Sequence, residues 1–231
     1  MKSLKMWMFR FILLILSGDA YAFCIFPTSG SGCPQTGVGW PNSAATFNSN
    51  GSGGSSATFD NAFPSAIRAW NGPSNFVFSN VSAAADPCVG EPDGTRGWEF
   101  SSNACGFSFG SQTLAVTFVF ASSFSPSVNT IVDADIIYNI NQPWGWDVHN
   151  GPAFSVDFRR VTVHESGHAF GLGHDNTAAA AIMDPFYSET IQTPQTDDIN
   201  GLIALYGRSA TPVPPTGSQV NMAPINFLLL D

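Results

Sequence analysis

Apolar residues recur at helical spacing in some stretches of this chain and in alternation or short runs in others, so helices and strands should be interspersed along one domain. Phe59, Phe63, Ile67 and Trp70 line one face of a helix over residues 57–71, with Pro64 inside it and Asn71-Gly72-Pro73 ending it. A second helix is predicted over about 156–170, and a third over about 196–206 that Gly207 closes. Strands are predicted at 44–48, 75–80, 98–101, 113–120 and 131–140, separated by loops rich in Gly, Ser and Pro. Beyond Arg208 the run TPVPPTGS is linker-like, and the apolar patch 225–230 is too short to span a membrane. The fold class is α+β.

The first residues read differently. Lys2, Lys5 and Arg10 flank and precede the apolar run Phe11 to Leu16, and Ala20-Tyr21-Ala22 follows, the layout of a secretory signal peptide cut after Ala22. The run is far shorter than the ~20 residues of a membrane span. Cleavage takes Lys2, Lys5 and Arg10 from eight basic residues and Asp19 from seventeen acidic ones, which moves the net charge from −9 to −11 and leaves no lysine. Such a surface repels nucleic acid and anionic lipid, so neither is expected as a partner. A secreted monomer, extracellular or periplasmic, is the expectation. Cys24, Cys33, Cys88 and Cys105 would then meet an oxidising compartment, where two disulfides are the default. Of three pairings, Cys24 with Cys33 and Cys88 with Cys105 closes the shortest loops.

The chemistry concentrates in HESGHAFGLGH, His164 to His174, which holds three of the four histidines. On a helix, residues four apart lie about 40° from each other in projection, so His164 and His168 can hold one ion from one face, with Glu165 flanking it. His174 reaches the same ion only if the chain turns, and Gly171 and Gly173 are expected to supply that turn. Three imidazoles bind zinc and leave a fourth position for water, as in a catalytic site. The ion would acidify that water and polarise a peptide carbonyl, and Glu165 would act as general base.

With Met183 in Ala181-Ile182-Met183-Asp184-Pro185, the segment resembles the metzincin metallopeptidase pattern H-E-x-x-H-x-x-G-x-x-H followed by a methionine turn. Within that group the chain is similar to the matrixins, in a secreted form of bacterial type. The resemblance covers most of Trp40 to Gly207. Leu114-Ala115-Val116-Thr117-Phe118 looks like the family's edge strand, which would pair with an extended substrate through Leu114, Ala115 and Val116. Pro185-Phe186-Tyr187 is similar to the wall of the specificity pocket, which implies substrate contact at Pro185 and Tyr187, and Asp197 to Gly207 resembles the last helix, with Asp198 bracing the methionine turn. The resemblance implies a zincin fold, a twisted mixed five-stranded sheet with three helices and a cleft between the edge strand and the metal helix. It also implies cleavage of internal bonds in protein or peptide substrates with one catalytic zinc.

The implied organisation is a signal peptide at 1–22, an N-terminal segment at 23–35, a catalytic domain at 36–208 and a tail at 209–231. Val116 and Asp135 stand where animal matrixins carry histidines for a second zinc, so no structural zinc is expected. Calcium stays open, since Asp133, Asp135, Asp147, Asp157 and Glu189 offer hard oxygen ligands but no defined set. The competing readings are a zinc-binding adhesin or inhibitor-like module without turnover, for which Glu165 has no use, and a zinc hydrolase acting on a non-peptide bond.

Overall fold

A computed structural model describes residues 23–25, 37–53, 55–88, 92–123, 129–149, 153–174, 180–209 and 226–228. The expected signal peptide, Cys33 and most of the tail lie outside these residues.

Strand β1 (Ala44–Asn50) alternates, with Ala45, Phe47 and Ser49 buried and their neighbours more exposed, the period of a strand with one face on a core. It pairs in parallel with β2 (Val77–Ala84), and α1 (Ala57–Ile67) is the crossover that parallel pairing requires. The Asp60 carboxylate in the first turn of α1 accepts the Gly51 N–H at 2.9 Å and the Ser55 hydroxyl, and its charge suits a helix N-terminus. Pro64 has no N–H to offer the preceding turn, and α1 stops at Ile67. A 3-10 turn, Arg68–Trp70, then carries Trp70 into the core, so the expected helix over 57–71 is divided.

Strand β3 (Trp98–Ser101) meets β1 through single bridges, Phe47 with Arg96 and Ser52 with Glu99, and pairs in parallel with β5 (Asn129–Asn139). Strand β4 (Ala115–Ser123) runs antiparallel to β5, with Thr117 opposite Ile136. Isolated bridges thus set the two-stranded sheet β2-β1 beside the three-stranded mixed sheet β3-β5-β4, in the order β2-β1-β3-β5-β4. Among the described residues β4 pairs with β5 alone, so its outer edge faces away from the sheet.

Short strands β6 (Trp146–Asp147) and β7 (Val156–Asp157) pair ahead of α2 (Phe158–Ala169). Residues 156–157, expected as helix, are thus extended, and the Asp157 side chain caps α2 by accepting the Arg159 N–H at 3.0 Å. After α2 come β8 (Phe186–Ser188) and α3 (Thr196–Tyr206), and β9 (Asn226–Leu228) pairs antiparallel with β8. Three residues of the tail therefore add a strand to the segment that follows Met183.

The core fills the space between the sheet and helices α1 and α2, and much of it is aromatic. Phe63 stacks on Trp98 with centroids 5.1 Å apart, Phe158 lies 5.2 Å from Trp98 and 4.7 Å from Tyr138, and Phe59 touches Phe100 and Phe158 at 5.0 Å each. The two Phe59 pairs are edge-to-face and Phe63 lies nearly parallel to Trp98, arrangements that add to area burial. The Cys88–Cys105 disulfide joins the loops on either side of β3. Cys24 is also disulfide-bonded, and its expected pairing with Cys33 falls on a residue outside those described.

Candidate active site

Helix α2 is buried along nearly its whole length, from Phe158 through Ala169 with only Arg159 partly exposed, so its polar side chains point into protein. Its last turns are held from outside. Trp70 Nε1 donates to the Val163 carbonyl at 2.9 Å and to Ser166 Oγ at 3.0 Å, and Trp40 Nε1 donates to the Ala169 carbonyl at 2.7 Å. The Tyr206 hydroxyl donates to the Phe170 carbonyl at 2.6 Å and accepts the Trp40 N–H at 3.0 Å. The donors to Ala169 and Phe170 answer carbonyls that a helix end otherwise leaves unpaired, and Trp70 adds a second donor to a carbonyl inside the helix.

The helix ends in a Schellman motif, with Leu172 N–H on the Gly167 carbonyl at 2.9 Å and Gly171 N–H on the His168 carbonyl at 2.8 Å. Gly171 has φ +102°, and a Cβ there would stand 2.4 Å from the Val38 carbonyl oxygen, so both backbone and space demand glycine. Gly173, expected to share this duty, keeps negative φ, and a Cβ on it would meet its nearest atom at 3.5 Å. Its N–H instead donates to the Cys24 carbonyl at 3.0 Å, and Leu172 bridges Ile25.

The turn brings His174 back to the helix. The Nε2 atoms of His164, His168 and His174 form a triangle with sides of 3.1, 3.2 and 3.2 Å. His164 Nδ1 donates to the Ile182 carbonyl at 2.7 Å and His168 Nδ1 to the Leu172 carbonyl at 2.8 Å, so each presents an unprotonated Nε2 to the common point. Burial holds His164 well below the usual histidine range, helped by His168, Arg160 and His174 around it. Facing lone pairs repel unless a cation sits between them. Ligands ~2.05 Å from a tetrahedral zinc are separated by ~3.3 Å, close to the triangle observed. Among the described residues this is the one group of three metal-capable side chains whose ligand atoms converge.

Glu165, 1% exposed, follows His164 on the helix, and the Thr117 hydroxyl of β4 donates to its Oε2 at 2.6 Å. The edge strand therefore meets the metal helix at the residue that follows His164. Of the expected edge residues, Leu114 and Ala115 are buried and Val116 is half-buried, opposite Ile137.

Met183 lies under the helix at Gly167. A Cβ on Gly167 would stand 2.3 Å from Met183 Sδ and 2.9 Å from the Trp70 ring, so glycine at this position lets the methionine close against the backbone. The turn carrying Met183 is braced by Asp198, whose carboxylate accepts N–H groups of Ile182 at 2.8 Å, Met183 at 3.1 Å and Gln195 at 2.7 Å. Burial pushes the Asp198 carboxyl up, opposed by these three donors. Pro185 and Tyr187 are buried beyond the turn, and the Tyr187 hydroxyl donates to Glu189 at 2.6 Å while accepting the Asp157 N–H at 2.9 Å. The Arg160 guanidinium lies 5.3 Å from the Tyr187 ring centroid.

The acids considered for calcium serve other groups. Asp133 accepts Gly94 and Ala134 N–H groups, Asp135 accepts Gly97, Asp147 accepts Val148, Asp157 caps α2 and Glu189 holds Tyr187. Sequence reasoning passed over Gly167, Thr117, Trp40 and Trp70. The signal for Thr117 was a polar residue in the alternation Ala115, Thr117, Val119, whose other two members pack inward.

The sequence model of the family described as Matrixin matches residues 40–207. Matrix metalloproteinase-18 of Xenopus laevis is 51% identical over 61 residues, 25% of this chain and 13% of that protein. Interstitial collagenase of Equus caballus is 35% identical over 101 residues, 43% of this chain and 20% of the relative. Matrix metalloproteinase-25 of Mus musculus is 39% identical over 95 residues, 38% of this chain and 14% of its own length. The matches thus span a fifth or less of these relatives.

Proposed function

The chain belongs to the matrixin family of metallopeptidases, and from that premise we propose that it is a secreted zinc-dependent endopeptidase cutting internal bonds of protein or peptide substrates. His164, His168 and His174 would hold the ion through Nε2. Bound there, zinc supplies the positive charge that polarises a peptide carbonyl and acidifies water. Glu165 takes a proton from the attacking water and passes it to the leaving amine nitrogen as the C–N bond breaks. The outer edge of β4 lends its backbone groups to an extended peptide, which orients the scissile bond, and Pro185 and Tyr187 wall the adjoining pocket. Within the described residues no helix is long and apolar enough to cross a membrane.

The observation that carries this reading is the triangle of three Nε2 atoms, with Glu165 next to His164 on the same helix and in contact with the edge strand through Thr117. The test is zinc content and casein or gelatin cleavage, with and without a chelator, beside Glu165→Ala. We expect one zinc per chain, chelator-sensitive cleavage and a loss of ~10³-fold in the variant with the metal retained. One bound zinc without cleavage of any protein would instead favour a binding module.

A further inference from the structure

Resting on the reading of His164, His168 and His174 as the zinc site, we propose that Phe23, Cys24 and Ile25 are positioning residues. They form a tethered clamp that holds His174 at the point where the three Nε2 atoms meet. Helix α2 ends before His174, so this ligand reaches the triad only through Leu172 and Gly173, which belong to no helix or strand. Buried backbone outside regular structure must find its partners elsewhere in the chain. Here the partner is the segment 23–25. Gly173 N–H donates to the Cys24 carbonyl at 3.0 Å, and Leu172 forms an antiparallel bridge with Ile25. The same stretch serves a second ligand, because His168 Nδ1 donates to the Leu172 carbonyl at 2.8 Å.

The clamp is itself firmly seated. Phe23, Cys24 and Ile25 are 5%, 6% and 1% exposed. Phe23 lies against α3 at Gly201, where a Cβ would stand 3.2 Å from Phe23 Cβ and 2.8 Å from Leu172 Cδ2. The helix, the stretch that carries His174 and the segment 23–25 therefore close on one another at a glycine. Short segments outside helices and sheets stay ordered only where they are tied down. Cys24 is disulfide-bonded, which keeps the segment near its seat at a high effective concentration whenever the backbone contacts open. A ligand already held in place loses less backbone freedom when it grips an ion, so the clamp raises zinc affinity by pre-organisation. His164 and His168 are carried by the helix, and His174 is the ligand whose placement depends on the clamp.

The test is a double-mutant cycle on the full chain, read as zinc affinity in chelator competition. Cys24→Ser removes the tether, with the thiol it releases alkylated before zinc is added, and Ile25→Ala removes the packed side chain. Each should weaken zinc binding by ~10-fold, the size of losing a group that orients a metal ligand. In a His174→Ala background the third ligand is already gone, and the same two changes should move affinity by less than about twofold. A segment that only supports the fold would lower affinity equally in both backgrounds. That result overturns the proposal, as does full zinc affinity in both Cys24→Ser and Ile25→Ala. Histidine-ring NMR of the zinc-loaded chains gives a second readout, in which the His174 Nε2 signal shifts or broadens in the clamp variants while that of His164 stays. An unmoved His174 signal in both variants also removes the role. Since neither readout is cleavage, a parent that binds zinc but cuts no protein counts against the peptidase reading alone.

Discussion

The chain before Gly171 and the chain after it are held together by different physics. The first part is a sheet with two helices on it, and its contacts are ladders and interlocking rings around Trp98, Phe158 and Tyr138. The second has one helix and a pair of three-residue strands, and polar anchors set its shape: Asp198 on Ile182, Met183 and Gln195, and Tyr187 between Asp157 and Glu189. Apolar burial is spread over many atoms and tolerates small shifts, whereas a buried carboxylate with three donors works only in one geometry. The histidine triad lies on the seam. Two of its histidines come from the first part, the third from the second, and the His164 ring is steadied by the Ile182 carbonyl across the divide. A bound ion would therefore tie the two parts together.

Four substitutions would break or sharpen this contrast. Trp98→Ala should have the largest effect, ~3–5 kcal/mol of lost stability from removing a fully buried ring. Chemical denaturation would measure it, and zinc affinity at temperatures where the variant stays folded should hardly move. Asp198→Ala strands three backbone N–H groups and should cost ~3 kcal/mol. Unlike the first change it should also weaken zinc binding by ~10-fold, seen in chelator competition, because Ile182 no longer holds the His164 ring in place. Gly167→Ala forces a methyl against Met183 and Trp70, a cost of ~1–3 kcal/mol from overpacking. Its signature would be a lower melting temperature together with a displaced Met183 in a crystal structure. Tyr187→Phe should be the mildest, ~1 kcal/mol for a lost buried hydrogen-bonding group, and should show chiefly as altered preference for the substrate side chain beside the pocket. Equal losses of zinc affinity in Trp98→Ala and Asp198→Ala would show that the two parts do not differ in the way described.

The most legible elements were those whose signals are local. Helix α3 was readable to its last residue because its apolar spacing ends at Gly207, which has φ +79°. Strand β2 was harder. It starts at Val77 and runs to Ala84, later than the apolar run suggested, because its exposed Ser and Ala residues are held by pairing with β1 and have no burial pattern to read. The front of α2 was misread for a similar reason, since Val156 and Asp157 are drawn into a two-residue pairing with β6.

At the site, the sequence by itself grouped the three histidines as a candidate metal set, placed Glu165 beside His164 and required a turn between His168 and His174. All three follow from helical geometry within eleven residues, His164 to His174. Only the tertiary structure decided that Gly171 and not Gly173 takes the left-handed conformation, that Gly167 makes room for Met183, and that Thr117 faces Glu165. Those facts depend on which atoms from distant parts of the chain arrive at the same place. Val38 meets Gly171, Met183 meets Gly167 and β4 meets α2, and no spacing along a single segment carries that information.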